Sequence, residues 1–125
     1  MHNIVSPDTS DAGIERLIRA KGKTAARVTP ADIEANIRAE TYFTAFDGFM
    51  ADDRDMAMQD ADALKLLTFC VLVLRNGFTV TGESACASPE NFDAEIGRRV
   101  ARENAVQKIW PLMGYELRTK LAQEG

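Results

Sequence analysis

Three arginines on one stretch of predicted helix, Arg98, Arg99 and Arg102, carry the most suggestive chemistry in this sequence. A guanidinium grips a phosphate through two parallel N–H donors, so arginines beside aromatic and amide side chains can build an anion or nucleotide pocket. Phe78, Ser84 and Asn91 fall at the strand and helix ends beside that helix. They offer a ring to stack on a base and a hydroxyl and an amide to select its hydrogen-bonding edges. The candidate ligand-binding residues are therefore Phe78, Ser84, Asn91, Arg98 and Arg102. A plainer account competes with this one. Glu95 and Glu103 are placed to pair with Arg99 and Arg102, which makes the same surface a solvated, salt-bridged helix face.

Other chemistries find weaker support. Gly82-Glu83-Ser84-Ala85-Cys86 resembles a nucleophile elbow but lacks the final glycine, and its serine belongs to a predicted hairpin strand instead of a strand-to-helix turn. The single histidine, His2, lies at the N-terminus, far in sequence from any serine it would have to activate. No His/Cys cluster has metal-ligand spacing, and the aspartates between Phe49 and Ala63 lack the alternate oxygens, central glycine and closing glutamate of a calcium loop. No glycine-rich phosphate loop is present either, since Gly77 reads as a turn glycine and Gly82 as a bulge. The expectation is a non-enzymatic protein with no cofactor and no metal.

The elements that must position these residues are legible from periodicity and punctuation. Asp11 caps a short helix striped by Ile14, Leu17 and Ile18 and stopped by Gly22. Thr29-Pro30-Ala31-Asp32 opens a second, with Ile33 and Ile37 on its apolar face. Thr41 to Phe46 has strand composition and ends at the turn dipeptide Asp47-Gly48. Phe49 to Ala63 holds five aspartates and three methionines without a period, and is expected to be a mobile acidic connection. The apolar run Thr68 to Leu74 and the alternating Phe78 to Thr81 flank Asn76-Gly77, a strong hairpin signal. A two-residue loop sets Leu74 against Thr79 and Glu83 against Cys70. Phe69, Val71, Val73, Phe78 and Val80 then share one face, and Cys70 and Cys86 point to opposite faces, so no disulfide is expected. Ser88 or Asn91 caps the last long helix, on which Ile96, Gly97, Val100, Ala101 and Ala105 share one side. Pro111 is expected to kink or end it. Asn104 and Lys108 fall on its packed side, suited to satisfying neighbouring backbone.

The fold class that follows is α+β: a small antiparallel sheet built on a central β-hairpin, packed by a long C-terminal helix and two short N-terminal helices. Residues 1–10 form a flexible N-terminus, and residues 11–125 form a single domain with a mobile acidic loop at about 49–63. A net charge of −4 and a pI near 5.0 argue against a duplex-DNA footprint. No apolar run reaches the ~18 residues of a membrane span, and residues 1–11 lack a signal-peptide layout, so a cytoplasmic location is expected. Because the Thr68 to Leu74 strand is apolar on both sides, a second subunit is expected to cover one of them, most simply in a dimer burying Leu72 and Leu74.

The residues just named also carry a resemblance. Thr29-Pro30 with Ile33-Glu34, Tyr42, the run Asn76 to Cys86, Pro89-Glu90-Asn91-Phe92-Asp93, Ile96-Gly97, Lys108-Ile109-Trp110 and Gly114-Tyr115 together resemble the tailed-phage protein family named for a gene-49 product and a gene-66 product. The resemblance spans roughly Lys21 to Leu121 and implies a bacteriophage or prophage accessory protein made in the cytoplasm of the bacterial host. The Asn-Gly-Phe hairpin, the Ser-x-Cys, the Pro-x-Asn-Phe-Asp and the helix after it are also similar to the phage anti-Thoeris sponges. These symmetric oligomers sequester a cyclic ADP-ribose isomer with aromatic, asparagine and arginine side chains. Phe78 and Asn91 are the matching positions. The implied partners are a second copy and a cyclic nucleotide or ADP-ribose-type ligand. The alternative reading is a phage interaction protein that binds a host protein through its acidic loop, with no small ligand.

Overall fold

The computed structural model describes residues 9–125, so His2 and most of the N-terminal segment expected to be flexible lie outside the described residues. Eight elements follow in order: α1 (Asp11–Ala20), α2 (Pro30–Ala35), β1 (Ile37–Thr44), α3 (Ala45–Met50), α4 (Met58–Leu64), β2 (Leu67–Leu74), β3 (Thr79–Ala85) and α5 (Ala94–Glu124). The strands form one antiparallel sheet in the order β1-β2-β3, and α5 lies across β3 and β2. The architecture is α+β.

Local chemistry accounts for the short elements, including three boundaries that differ from expectation. Ser10, not Asp11, caps α1, accepting from the Gly13 amide at 3.1 Å. The Gly22 N–H to the Arg19 carbonyl and the Lys23 N–H to the Ile18 carbonyl close α1 in a Schellman motif, with Gly22 at φ 67°. A capping box between Thr29 and Asp32 starts α2, which ends at Ala35, so Ile37 opens β1 instead of extending the helix. Asp47-Gly48 is not a turn. Thr44 and Asp47 form a second capping box, and the chain goes from β1 straight into α3. Residues 49–63 accordingly carry the end of α3 and most of α4 around an irregular stretch at 51–57.

The hairpin is shifted by one residue from the expected register. Thr79 pairs with Val73 and Gly82 with Cys70. Asn76 does not adopt positive φ, which excludes the two-residue turn that would need it at both central positions. Instead Gly77, at φ 90°, donates to the Leu74 carbonyl at 2.9 Å while Leu74 donates to Phe78 at 2.8 Å: a three-residue loop with the glycine as its bulge. One residue of slip moves side chains to the opposite face. Val80 therefore joins Cys70, Leu72 and Leu74 under α5, and Phe78 leaves the face of Phe69 and Val71. Cys70 and Cys86 both remain free. They now share a face but lie four residues apart along the ladder, about 13 Å at strand rise, too far to bridge.

The core is the sheet–helix seam. Cys70, Leu72, Leu74 and Val80 pack on Ala101, Ala105, Val106 and Ile109, with Ile33 of α2 closing one side. Leu72 and Leu74 are thus covered by α5 of the same chain and not by a second subunit. Gly82 is no bulge. It lies in regular register where α5 comes closest, and a Cβ there would stand 2.1 Å from the Ala101 carbonyl oxygen. Ile96 and Val100, expected to pack, face outward at 60% and 40% exposure. Pro111 does not interrupt α5, which runs unbroken for 31 residues. The proline is exposed, so water can reach the carbonyl it leaves without a donor.

Candidate functional site

The N-terminal end of α5 is where the chain gathers polar side chains around an aromatic ring. Pro89–Asn91 forms one 3₁₀ turn, Phe92 follows in extended backbone, and Asp93 caps α5 by accepting from the Ile96 amide at 3.0 Å. Neither Ser88 nor Asn91 is that cap: the Ser88 hydroxyl donates to Glu90 at 2.7 Å and holds its carboxyl below the ordinary range. The Ala94 and Glu95 amides have no partner within the helix, and the positive end of a 31-residue dipole lies here.

Two grooves flank Phe92. The first, of about 170 Å³, is lined by Ser84, Cys86, Asn91, Ile96 and Gly97; the second, of about 90 Å³, by Tyr42, Phe43, Thr44, Asp47 and Arg98. Phe92 and Thr68 line both. Thr68 is 4% exposed, and among the described residues no buried side-chain nitrogen or oxygen lacks a partner. Gly97 explains its position, because a Cβ there would press within 3.0 Å of Thr68 Oγ1.

Of the five candidate residues, the structure therefore brings Ser84, Asn91 and Arg98 to one end of the molecule. Arg98 projects there as an exposed cation with no ion-pair partner among the described residues. Phe78 does not join them. It is 55% exposed at the hairpin turn, beside Asn36, Leu112 and Met113, at the opposite end of the sheet. Arg102 is committed elsewhere: its guanidinium holds Glu34 through two bonds of 2.9 and 3.0 Å and reaches Glu40 at 3.3 Å. Tyr42 donates to the same Glu40 carboxylate, so one network ties α5 to α2 and β1. The Glu34 carboxylate, chiefly, keeps the Arg102 guanidinium firmly protonated. Tyr42 chiefly, with Arg102, keeps the Glu40 carboxyl below its ordinary range. Glu103 is not its partner, whereas Arg99 does pair with Glu95 at 3.1 Å. Asn104 satisfies backbone as expected, donating to the Glu83 carbonyl at 2.8 Å.

Phe92 and Thr68 are the site residues that sequence reasoning passed over. Thr68 looked like a strand former and nothing more; only its place opposite a helix glycine makes it a site group. Ser84 lies in the ladder opposite Thr68, far from the geometry of a nucleophile elbow. Burial pushes the Cys70 thiol up, away from thiolate chemistry. A larger groove of about 200 Å³ between α1, α2 and α5 is apolar, and its two acids are engaged, Asp11 by Trp110 at 3.1 Å and Glu15 by Arg27 at 2.8 Å.

No helix among the described residues is long and apolar enough to cross a membrane. No curated protein and no solved structure matches this chain. The model of the phage protein (N4 Gp49/phage Sf6 gene 66) family matches residues 28–121, most of the chain and every element from α2 to the last turns of α5. The chain belongs to that family of phage proteins.

Proposed function

We propose that this phage accessory protein binds an anionic host nucleotide, of cyclic or ADP-ribose type, in the grooves beside Phe92, without turning it over, and so withholds a defence signal. One observation carries the reading: Ser84, Asn91, Arg98 and Thr68 line the two grooves that flank Phe92 at the positive end of α5. Arg98 suits a phosphate, the Phe92 ring a base, and the hydroxyls and amide its polar edges. Sequestration needs no acid–base pair. Calorimetry against a panel of cyclic nucleotides and cyclic ADP-ribose isomers tests it. Arg98→Ala and Phe92→Ala should each weaken binding roughly tenfold or more, as loss of a charge-assisted or stacking contact does. The ligand should be recovered chemically intact after the protein is denatured. No heat and no melting shift with any of them at high micromolar concentration would sink the reading.

A second reading rests on a different surface. Met50, Met56 and Met58 are 66%, 42% and 80% exposed around Asp52, Asp53 and Asp55, an adaptable acidic and apolar segment suited to a basic host protein. If the nucleotide panel is silent, loss of host-protein capture on replacing residues 51–57 with a Gly/Ser linker would support it.

A further inference from the structure

Phe78, grouped by sequence with the arginines, belongs to a cluster of its own at the turn end of the sheet. The hairpin loop fixes its backbone from both sides: the N–H donates to the Asn76 side-chain oxygen at 2.9 Å, and the carbonyl accepts from the Leu74 amide at 2.8 Å. The residue is still 55% exposed, although the buried Leu74 lies beside it. A ring mounted on a fixed loop and left in water presents a flat face to a ligand.

The ring borders a groove of about 230 Å³ whose apolar lining is completed by Leu112 and Met113 of α5. Asn36, Asn76 and Glu116 are its polar groups. Both amides have a set orientation. Asn36 Oδ1 accepts from the Arg75 N–H at 3.2 Å, and Asn76 Oδ1 from that of Phe78. What either can offer a ligand is therefore its Nδ2 group, a pair of donors with no partner among the described residues. Glu116 stands one turn beyond Leu112 on the same face of α5, and its carboxylate, an acceptor only, has no ion pair or hydrogen bond among the described residues.

A ligand that fits must carry acceptors for the two amides, donors for the carboxylate and an apolar face for the ring. Neighbouring hydroxyl groups are donors and acceptors at once, and the C–H face of a sugar ring lies flat on an aromatic. No cation lines the groove, and Glu116 would repel a phosphate, so the ligand is uncharged. A volume of about 230 Å³ falls short of the ~300 Å³ from which pockets for drug-sized molecules begin, which suits a single ring. We infer that this groove is a saccharide site: it takes one neutral pyranose, stacked on Phe78, whose hydroxyls bridge Glu116 and the amides of Asn36 and Asn76. The pyranose is a free sugar or the terminal unit of a glycan. This site lies at the opposite end of the sheet from Phe92 and draws nothing from the nucleotide reading.

NMR titration of the full chain with the methyl pyranosides of glucose, galactose, mannose and N-acetylglucosamine tests the site. At least one should shift the Asn36 and Asn76 side-chain amide signals with a dissociation constant on the order of 1 mM, as a ligand of about a dozen heavy atoms reaches. The backbone signals of Phe92 and Arg98 should stay in place. Sorbitol, which has the hydroxyls without the ring, should bind roughly fivefold more weakly or worse. Asn76→Asp keeps an oxygen for the Phe78 amide, and so the turn, but removes the donors. That variant, Glu116→Gln and Phe78→Ala should each weaken binding by roughly fivefold or more. A glycan ending in the preferred pyranose, bound roughly tenfold tighter than the methyl glycoside, identifies a glycan as the source; equal binding identifies the free sugar. No shift with any pyranoside at about 50 mM, far above the expected constant, overturns the proposal. So does sorbitol binding as tightly as the pyranosides, adenosine or guanosine moving the same signals more tightly than all of them, or a folded Asn76→Asp that binds undiminished.

Discussion

Gly82→Ala should be among the most damaging single substitutions in this protein. The added methyl would lie 2.1 Å from the Ala101 carbonyl oxygen, 2.3 Å from the Ala105 nitrogen and 2.9 Å from the Asn104 carbonyl carbon. All three are backbone atoms of a continuous helix, so no side chain can rotate away. Relief requires α5 to recede from β3 by on the order of 1 Å, and a gap of that size forfeits a quarter to a half of each dispersion contact across it. The seam affected holds Cys70, Leu72, Val80, Ala101, Ala105 and Ile109, most of the buried core. Overpacking typically costs 1–3 kcal/mol, and rigid backbone on both sides puts this case at about 3 kcal/mol, well above the 0.5–1 kcal/mol that glycine's own entropy gives back. Urea titration followed by the single tryptophan, Trp110, should show the midpoint falling by about 2 M for a slope near 1.5 kcal/mol/M. Gly114→Ala, where nothing lies within 4 Å of the new methyl, should instead stabilise by about 0.5–1 kcal/mol at the same protein concentration. The reasoning fails if Gly82→Ala costs under about 1 kcal/mol, or if both alanines behave alike.

Gly77→Ala should lower stability by about 1–2 kcal/mol in the same assay, because φ of 90° strains any residue with a Cβ. Arg102→Ala should cost about 1 kcal/mol, as expected for a largely exposed bidentate pair with a second acid, and the difference from wild type should shrink in 1 M salt. Arg27, with Arg19, holds the Glu15 carboxyl down from 4.5 to about 2. Its contribution is therefore complete above pH 4.5 and fades as pH falls toward 2, so the melting temperatures of wild type and Glu15→Gln should converge over that window. Limited proteolysis should cut first within 51–57, the longest irregular stretch between α3 and the sheet; first cuts at the 75–78 turn would contradict this.

The elements that were legible in the sequence are those with strong local signals: the Thr29-Pro30 start, the β2 apolar run, the β3 alternation and the helix after Pro89. What stayed hidden was decided by geometry between elements. The hairpin register turned on whether Asn76 or only Gly77 would take positive φ, and an Asn-Gly pair is compatible with either turn. The Thr44–Asp47 capping box was present in the sequence but masked by Asp47-Gly48, which has turn composition. Ile96 and Val100 have the same 3.6 period as Gly97 and Ala101, so periodicity cannot say which edge of the stripe meets the sheet. For the site, Arg98 and Arg102 are equivalent in sequence, and only the arrival of Glu34 and Glu40 from α2 and β1 separates a free cation from a committed one.

One glycine links these outcomes. Because Gly82 has no side chain, α5 can settle directly on β3, an edge strand, instead of centring on the middle strand β2. With the helix displaced that way, Arg102 on its near flank reaches β1 and α2, and Asn104 on its far flank reaches the Glu83 carbonyl of β3. The displacement also lays Gly97 against Thr68, beside Phe92. A larger residue at 82 should therefore do more than lower stability. By pushing α5 away from β3 it should also loosen the grip of Arg102 on Glu34, so Gly82→Ala combined with Arg102→Ala should cost less than the sum of the two separate changes in the same urea titration. Gly77→Ala, which strains the turn without touching the seam, should add to Arg102→Ala in full. If Gly82→Ala and Arg102→Ala are additive as well, helix placement is not what brings Arg102 to its acids.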